Sequence, residues 1–149
     1  MKILVLFGST LNSTKRVVEK FAEQLHFPFH TINVKELNDD AILQQYQLLI
    51  FFCPTYGDEE LQEDMENFLL ICEKSLEGKL FAVCELGNHE GYEDFSFGAS
   101  RLVRKMVLAL GATEFIKPLS MDSLPRKDWM SFTIWSKMLN ESIEKHLLV

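Results

Sequence analysis

Residues 48–72, LLIFFCPTYGDEELQEDMENFLLIC, contain the pattern from which the fold class of this chain is predicted. This stretch opens with an almost wholly apolar run, Leu48–Cys53, which ends at a proline and predicts a strand buried on both faces. A polar segment with a single glycine follows, and apolar side chains then return at helical spacing up to Cys72. A buried strand that leads directly into an amphipathic helix is the unit from which helix-covered parallel sheets are built.

The same unit recurs on both sides of this stretch. Further strands are predicted at Lys2–Phe7, Phe29–Val34, Leu80–Leu86 and Glu114–Leu119, and Pro118 indicates an edge position or a bulge in the last of these. Strict alternation of strand and helix predicts a single domain over residues 1–149. The fold class is α/β, a doubly wound three-layer sandwich with a five-stranded parallel sheet of order 2-1-3-4-5.

The helices are predicted from stripes of apolar side chains that recur every three or four residues. A weaker helix is expected over Asp39–Tyr46, the last helix over Lys127–His146, and a glycine cap after the long third stripe at Gly111. The side chains expected to point inward are Val17, Val18, Phe21, Ala22, Leu25, Leu61, Met65, Phe68, Leu69, Cys72, Ala99, Leu102, Val103, Met106, Val107, Leu110, Phe132, Trp135, Met138, Leu139 and Ile143.

Composition narrows the classes of function. The chain has 149 residues, a formal net charge of −7 and a pI near 5.1, and this acidity argues against nucleic acid, whose phosphates attract Lys and Arg. No apolar run approaches the ~18 residues of a membrane span, and the amino-terminal run is interpreted as a strand rather than a signal peptide. Cys53, Cys72 and Cys84 form no paired motif, which argues against a disulfide framework or zinc site and favours a reducing cytoplasm.

In a doubly wound sheet the ligand lies outside the carboxyl ends of strands 1 and 3, where the strand order reverses. Three loops are expected there: Gly8–Thr14, Pro54–Gln62 and Gly87–Phe95. The first is rich in hydroxyl groups at the start of a helix, which favours an anion such as a phosphate monoester; the alternative is that Asn12 or Ser13 simply caps the helix. It lacks the glycine motifs that bind nucleoside triphosphates and dinucleotides.

The second and third loops each place a tyrosine beside a glycine. Tyr56 precedes Gly57, and Tyr92 follows Gly91. Two tyrosines that flank one crevice predict a flat aromatic ligand held between stacked rings.

In these loops the chain resembles a flavodoxin. The motif PTYGDEELQ at residues 54–62, the segment LGNHEGY at 86–92 and the turn LGA at 110–112 follow the order and spacing of that family, and the resemblance runs from Met1 to Val149. Because Glu114–Leu119 has no room for the insertion of long-chain members, the chain is similar to the short-chain type. The resemblance implies a flavodoxin-like FMN-binding domain.

The resemblance also assigns the cofactor contacts. The phosphate would be bound by the first loop, Tyr92 would stack on the outer face of the isoalloxazine ring and Tyr56 would cover the inner face. Leu11 and Asn12 depart from the family pattern, which has a hydroxyl residue and glycine there, and Asn88 stands where many members have Asp. The full set is Ser9, Thr10, Leu11, Asn12, Ser13, Thr14, Pro54, Thr55, Tyr56, Gly57, Asp58, Leu86, Gly87, Asn88, Tyr92, Glu93 and Phe95.

The function that the resemblance implies is that of a low-potential one-electron carrier and not an enzyme. Tightly but non-covalently bound FMN would cycle between semiquinone and hydroquinone. The Gly57 carbonyl would accept a hydrogen bond from the N5–H group of the radical. No residue is needed as an acid, base, nucleophile or metal ligand. An acidic run would disfavour the anionic hydroquinone and attract basic-faced reductases and acceptors to a monomeric, cytoplasmic protein; it comprises Asp58, Glu59, Glu60, Glu63, Asp64 and Glu66.

Other classes of protein share parts of this pattern. A phosphoryl receiver would need acids where Gly8 and Cys53 stand, and a low-molecular-weight phosphatase would need a Cys-x5-Arg loop, which is absent. Three alternatives stay open: an FMN protein of the kind that supports biotin synthase, a small flavin-dependent NAD(P)H:quinone reductase, and a flavodoxin-like scaffold without flavin.

Overall fold

The computed structural model describes residues 1–8, 12–56, 60–87, 98–122 and 128–148. The helices are α1 (Asn12–Gln24), α2 (Glu63–Ile71), α3 (Gly98–Ala109) and α4 (Trp129–Leu147), with short 3-10 helices at Val34–Glu36 and Ala41–Gln45. The strands are β1 (Ile3–Phe7), β2 (His30–Asn33), β3 (Leu48–Tyr56), β4 (Glu60–Leu61), β5 (Leu80–Gly87), β6 (Thr113–Glu114) and β7 (Leu119–Asp122). They form one sheet of order β2-β1-β3-β5-β6, with β4 on β3 and β7 on β5, which confirms the predicted doubly wound fold.

The central strands are buried on both faces, as their continuous apolar sequences predict. Along β3, Leu48, Ile50 and Phe52 lie on the face covered by α1 and α4, whereas the alternate residues of the strand lie on the face covered by α2 and α3. Successive side chains of a strand point to opposite faces of the sheet. An unbroken apolar run is therefore typical of a strand that is covered on both faces.

The predicted fifth strand, Glu114–Leu119, is divided into β6 and β7 in the structure. Both parts pair in parallel with β5, but Leu80 lies opposite Thr113 whereas Cys84 lies opposite Leu119, so the register shifts between them. Pro118 has no N–H group to donate to the sheet. The neighbouring Lys117 carbonyl accepts a hydrogen bond from Trp135 Nε1 at 2.9 Å. The single continuous strand was therefore wrong, and the disruption predicted at Pro118 is confirmed.

Several local predictions need correction. The expected helix over Asp39–Tyr46 is a 3-10 helix, and the loop predicted from Pro54 to Gln62 contains the end of β3 and the antiparallel strand β4. Ala22 is exposed, and Leu102 and Met138 are each 42% exposed although the periodicity placed them inward. Apolar spacing fixes the direction in which a helix faces but not the width of the strip that its neighbours cover.

A buried carboxylate ties two connections together at the amino-terminal end of the sheet. Asp40 Oδ2 accepts hydrogen bonds from the backbone N–H groups of Glu73 and Lys74, both at 2.9 Å. Burial acts to raise the pKa of this carboxyl, but the hydrogen bonds from Lys74 and Glu73 outweigh burial and hold the pKa below its ordinary value of 3.8.

We expect Asp40→Asn to lower the free energy of unfolding by about 1–2 kcal/mol at neutral pH, because hydrogen bonds to an ionised acceptor are the stronger ones. The ionised group stabilises the fold fully above its unfolded pKa, and this contribution is lost as the pH falls through the lower folded pKa. Urea unfolding of both proteins from pH 7 to pH 3 checks this. A difference that stays constant down to pH 3 would contradict it.

Candidate functional site

The carboxyl ends of the central strands come together at one edge of the sheet. Phe7 lies opposite Phe52, Pro54 opposite Leu86, and Gly87 opposite Asp122. The chain leaves β1 toward β2 on one side and leaves β3 toward β5 on the other, so the strand order reverses between β1 and β3. This edge is the place where doubly wound folds bind ligands, and the four helices of the described residues, α1 to α4, begin there.

The predicted cofactor residues fall on three segments at this edge. Asn12, Ser13 and Thr14 form the first turn of α1, Pro54, Thr55 and Tyr56 end β3, and Leu86 and Gly87 end β5. The remaining predictions lie outside the described residues: Ser9, Thr10, Leu11, Gly57, Asp58, Asn88, Tyr92, Glu93 and Phe95. The fold therefore brings together the ends of the three predicted loops.

Helix α1 gives the first loop the chemistry of an anion site. The helix begins at Asn12, only four positions after Gly8 at the end of β1, so Ser13 lies within the first turn and not at the capping position. The first N–H groups of a helix have no partner within it and carry its positive partial charge. A loop dense in hydroxyl groups that leads into these N–H groups can hold a phosphate.

Gln62 joins the bases of the first and second loops. Its side chain is buried, its Oε1 accepts from the Met65 N–H at 2.9 Å at the start of α2, and its Nε2 donates to Asp64 Oδ2 at 3.0 Å. A Cβ placed on Gly8 would overlap Gln62 Oε1 and would lie 3.3 Å from Met65 Cβ. Gly8 is thus needed for the close approach of the two loops.

Glu85 is a functional candidate that the sequence analysis passed over as part of an apolar strand. It is completely buried near the end of β5, and its Oε2 accepts from the Ser100 N–H in the first turn of α3 at 2.6 Å. Its Oε1 accepts from Ser120 Oγ on β7 at 3.3 Å. The sequence does contain a signal for it, since Glu85 is a charged residue inside an otherwise apolar run. A buried carboxylate needs hydrogen-bond donors, so such a residue indicates a specific polar contact.

Cys53 lies beside Glu85 on the neighbouring strand but is not a reactive thiol. Burial, and then the charge of Glu85, raise the pKa of Cys53 well above its usual range, and burial is the main cause of a similarly raised pKa at Cys84. Since the thiolate is the nucleophile, both thiols are inert at neutral pH. Cys72, predicted as a core thiol, is half-buried, and burial and then Asp40 raise its pKa to about 12.

Three acidic side chains follow the second loop in the first turn of α2. Glu63 and Glu66 are exposed, whereas Asp64 is half-buried and accepts the hydrogen bond from Gln62. Acids at a helix amino terminus are stabilised by the helix dipole, so these residues have a structural role. They also place negative charge at the edge where the ligand would lie.

The described part of the chain contains neither a metal cluster nor a membrane-spanning helix. Its His, Cys, Asp and Glu side chains form no group of three or more that could hold a metal ion. None of the helices in that part is long and apolar enough to cross a membrane.

The comparisons with known proteins agree with this architecture. A family model described as "Flavodoxin" matches residues 5–135. The chain is 25% identical over 139 residues to a flavodoxin of Nitratidesulfovibrio vulgaris, covering 90% of this chain and 93% of that protein. It is 30% identical over 119 residues to flavodoxin 2 of Salmonella typhi, covering 78% and 67%.

Solved structures show the same fold. Oxidised flavodoxin 1 of Bacillus cereus superimposes with a TM-score of 0.80 at 20% identity, covering 98% of this chain and 99% of that chain. A flavodoxin of Fusobacterium nucleatum bound to flavin mononucleotide superimposes with a TM-score of 0.70 at 19% identity, covering 97% and 95%.

Proposed function

Since this chain belongs to the flavodoxin family, we propose that it is an electron-transfer protein that holds one FMN non-covalently and works as a low-potential one-electron carrier. The observation that carries the proposal is the reversal of strand order between β1 and β3, with the start of α1 directly behind the first loop. The flavin mononucleotide bound to the Fusobacterium nucleatum relative of the same fold supports the choice of cofactor.

The first loop would hold the phosphate. The hydroxyl groups of Ser9, Thr10, Ser13 and Thr14 and the side chain of Asn12 would donate to the phosphate, together with the free N–H groups at the start of α1. The side chain of Leu11 has no hydrogen-bonding group, which would cost about 1–2 kcal/mol relative to a hydroxyl residue that reaches a charged acceptor. The helix start and the remaining hydroxyl groups offset that loss.

The ring would lie at the ends of β3 and β5. Tyr56 and Tyr92 would stack against its two faces, and Pro54, Thr55, Gly57 and Asp58 would approach from the second loop. Leu86, Gly87, Asn88, Glu93 and Phe95 would complete the pocket from the third loop. When bound, FMN supplies one-electron redox chemistry, and the protein's residues tune its potentials.

The acidic residues explain why the potential would be low. Negative side chains near a group disfavour a further negative charge on it, so they lower the potential of the reduction step that creates an anion. Glu63, Asp64 and Glu66 lie in the first turn of α2, directly after the second loop.

A reduction titration tests this proposal. Protein reconstituted with FMN and desalted should retain the flavin, and stepwise anaerobic reduction should show two separate one-electron midpoint potentials, with a long-wavelength absorption band that rises and then falls. A single two-electron step, together with rapid NADH-driven reduction of a quinone by the protein alone, would favour the quinone reductase instead. Colourless protein after desalting would favour the scaffold without flavin.

The partners would be redox proteins with basic faces. The chain carries a net charge of −7, and oppositely charged surfaces speed the encounter of two proteins in a salt-dependent way. We propose that the protein acts as a monomer in the reducing cytoplasm. Electron transfer to a basic acceptor such as cytochrome c should slow as ionic strength rises, whereas a rate independent of salt would argue against docking through this surface.

A further inference from the structure

We propose that Glu85 is the positioning residue of the third loop: its buried carboxylate ties the start of that loop to its end and so sets the place of the isoalloxazine ring. This inference rests on the proposed FMN function. It names a residue that neither the sequence motifs nor the family resemblance assigned to the site.

Glu85 lies near the start of the third loop. It lies two residues before Gly87, the last residue of β5, and the chain then runs through residues 88–97 before α3 begins at Gly98. Residues 88–97 include Asn88 and Tyr92, which are proposed to contact the ring. A contact between Glu85 and the first turn of α3 therefore joins the two ends of this segment.

The carboxylate of Glu85 accepts hydrogen bonds from a helix and from a neighbouring strand. Glu85 Oε2 accepts from the Ser100 N–H at 2.6 Å, and Oε1 accepts from Ser120 Oγ on the adjacent strand β7 at 3.3 Å. Ser100 is itself buried, so this contact between a carboxylate and the amino-terminal turn of a helix lies away from the protein surface. A short bond from a backbone N–H to a carboxylate in that position is charge-assisted and favoured by the helix dipole.

The surroundings of Glu85 make these hydrogen bonds costly to break. Glu85 is 0% exposed. On the sheet it lies beside Cys53 of β3, on the face that α2 and α3 cover. A buried carboxylate is costly unless its oxygens are hydrogen-bonded, so a small displacement of α3 would be opposed by the loss of these bonds. The clamp thus holds α3 and β5 in one relative position.

The contacts of Glu85 would affect how the ring of the ligand binds, but not how its phosphate binds. The phosphate would bind at the first loop and the start of α1, next to β1, whereas Glu85 lies on β5, on the other side of β3. The ring would bind between the second and third loops, and only the third depends on the clamp. Loosening the clamp should weaken the binding of the ring and leave the binding of the phosphate as it was.

The decisive variant is Glu85→Gln, which keeps the shape of the side chain but turns one acceptor into a donor that faces existing donors. Asp40→Asn is the matched control, since Asp40 is also a buried carboxylate that accepts backbone N–H groups but lies at the opposite end of the sheet. Apoprotein is titrated with FMN and with riboflavin, which lacks the phosphate, and the midpoint potentials of the FMN complexes are measured.

We expect Glu85→Gln to raise the Kd values for FMN and riboflavin by the same factor, about tenfold, and to change the separation of the two midpoint potentials. Asp40→Asn should lower stability while leaving both Kd values and both potentials unchanged. Equal flavin affinities and equal potentials in wild type and Glu85→Gln would overturn the inference, as would a loss confined to FMN.

Hydrogen exchange of the apoprotein keeps this test separate from the proposed function. The Ser100 amide should exchange at least tenfold faster in Glu85→Gln than in wild type, with no change at Glu73 and Lys74. If the wild-type protein bound no flavin, the proposed function would fail, whereas unchanged exchange at Ser100 would overturn the clamp alone. If Glu85→Gln does not fold, Ser120→Ala can be used, because it removes one of the hydrogen bonds to Glu85. It should raise both flavin Kd values and the exchange rate of the Ser100 amide two- to threefold.

Discussion

Phe21→Ala should lower the free energy of unfolding by about 3–5 kcal/mol, the range for removing a large buried aromatic side chain. Phe21 is completely buried on α1, and its ring centroid lies 5.2 Å from that of Phe52 on β3 and 6.1 Å from that of Trp135 on α4. It thus joins a strand and both helices that cover this face of the sheet. The substitution leaves a cavity that these three elements cannot close together.

Chemical and thermal unfolding of the apoprotein measure this effect, which corresponds to a fall in Tm of about 6–20 °C for a domain of this size. Phe115→Ala is the matched control, because Phe115 is only partly buried at the edge of the same core and should cost clearly less. Equal losses for the two variants would show that Phe21 does not hold the three elements together.

Gly8→Ala should combine a loss of stability of about 1–3 kcal/mol with a fall in FMN affinity of about tenfold, which is equivalent to 1.4 kcal/mol. The added Cβ would overlap Gln62 Oε1, so Gln62 must leave the position in which it accepts from the Met65 N–H at 2.9 Å. The cap of α2 is then lost, and the first and second loops are pushed apart at the proposed flavin site.

Two controls separate this mechanism from a general effect of replacing glycine. Gly78 has a φ of +82° with no atom within 4 Å of its added Cβ, so Gly78→Ala should strain the backbone and lower stability without changing FMN affinity. Adding Gln62→Ser to Gly8→Ala shortens the overlapping side chain while keeping a capping hydroxyl, and should recover much of both losses. Failure of this second substitution to restore affinity would disprove the contact.

Much of the fold follows from local patterns in the sequence. Leu48–Cys53 is apolar throughout because β3 is covered on both faces, and the helical stripes repeat because each helix has one covered face. Gly111 was predicted to end the long helix, and the structure confirms it with a φ of +102° and an N–H bonded to the Leu108 carbonyl at 3.0 Å. Such features depend on neighbours within a few residues, which a sequence displays directly.

The details that distinguish this chain depend on residues far apart in sequence. Between the two parts of the divided fifth strand, the Lys117 carbonyl accepts a hydrogen bond from Trp135, and the approach of Gly8 to Gln62 brings together two separate connections. Ser100 and Ser120, which donate hydrogen bonds to Glu85, lie on a helix and a strand that come later in the chain.

The order of the elements, the faces they bury and the edge at which the proposed cofactor loops meet can all be predicted from the sequence, because periodicity and turn residues act locally. The polar groups that meet at the base of those loops are visible only in the folded protein. A buried hydrogen bond depends on the relative placement of whole elements to within a few tenths of an ångström, and no local pattern carries that information.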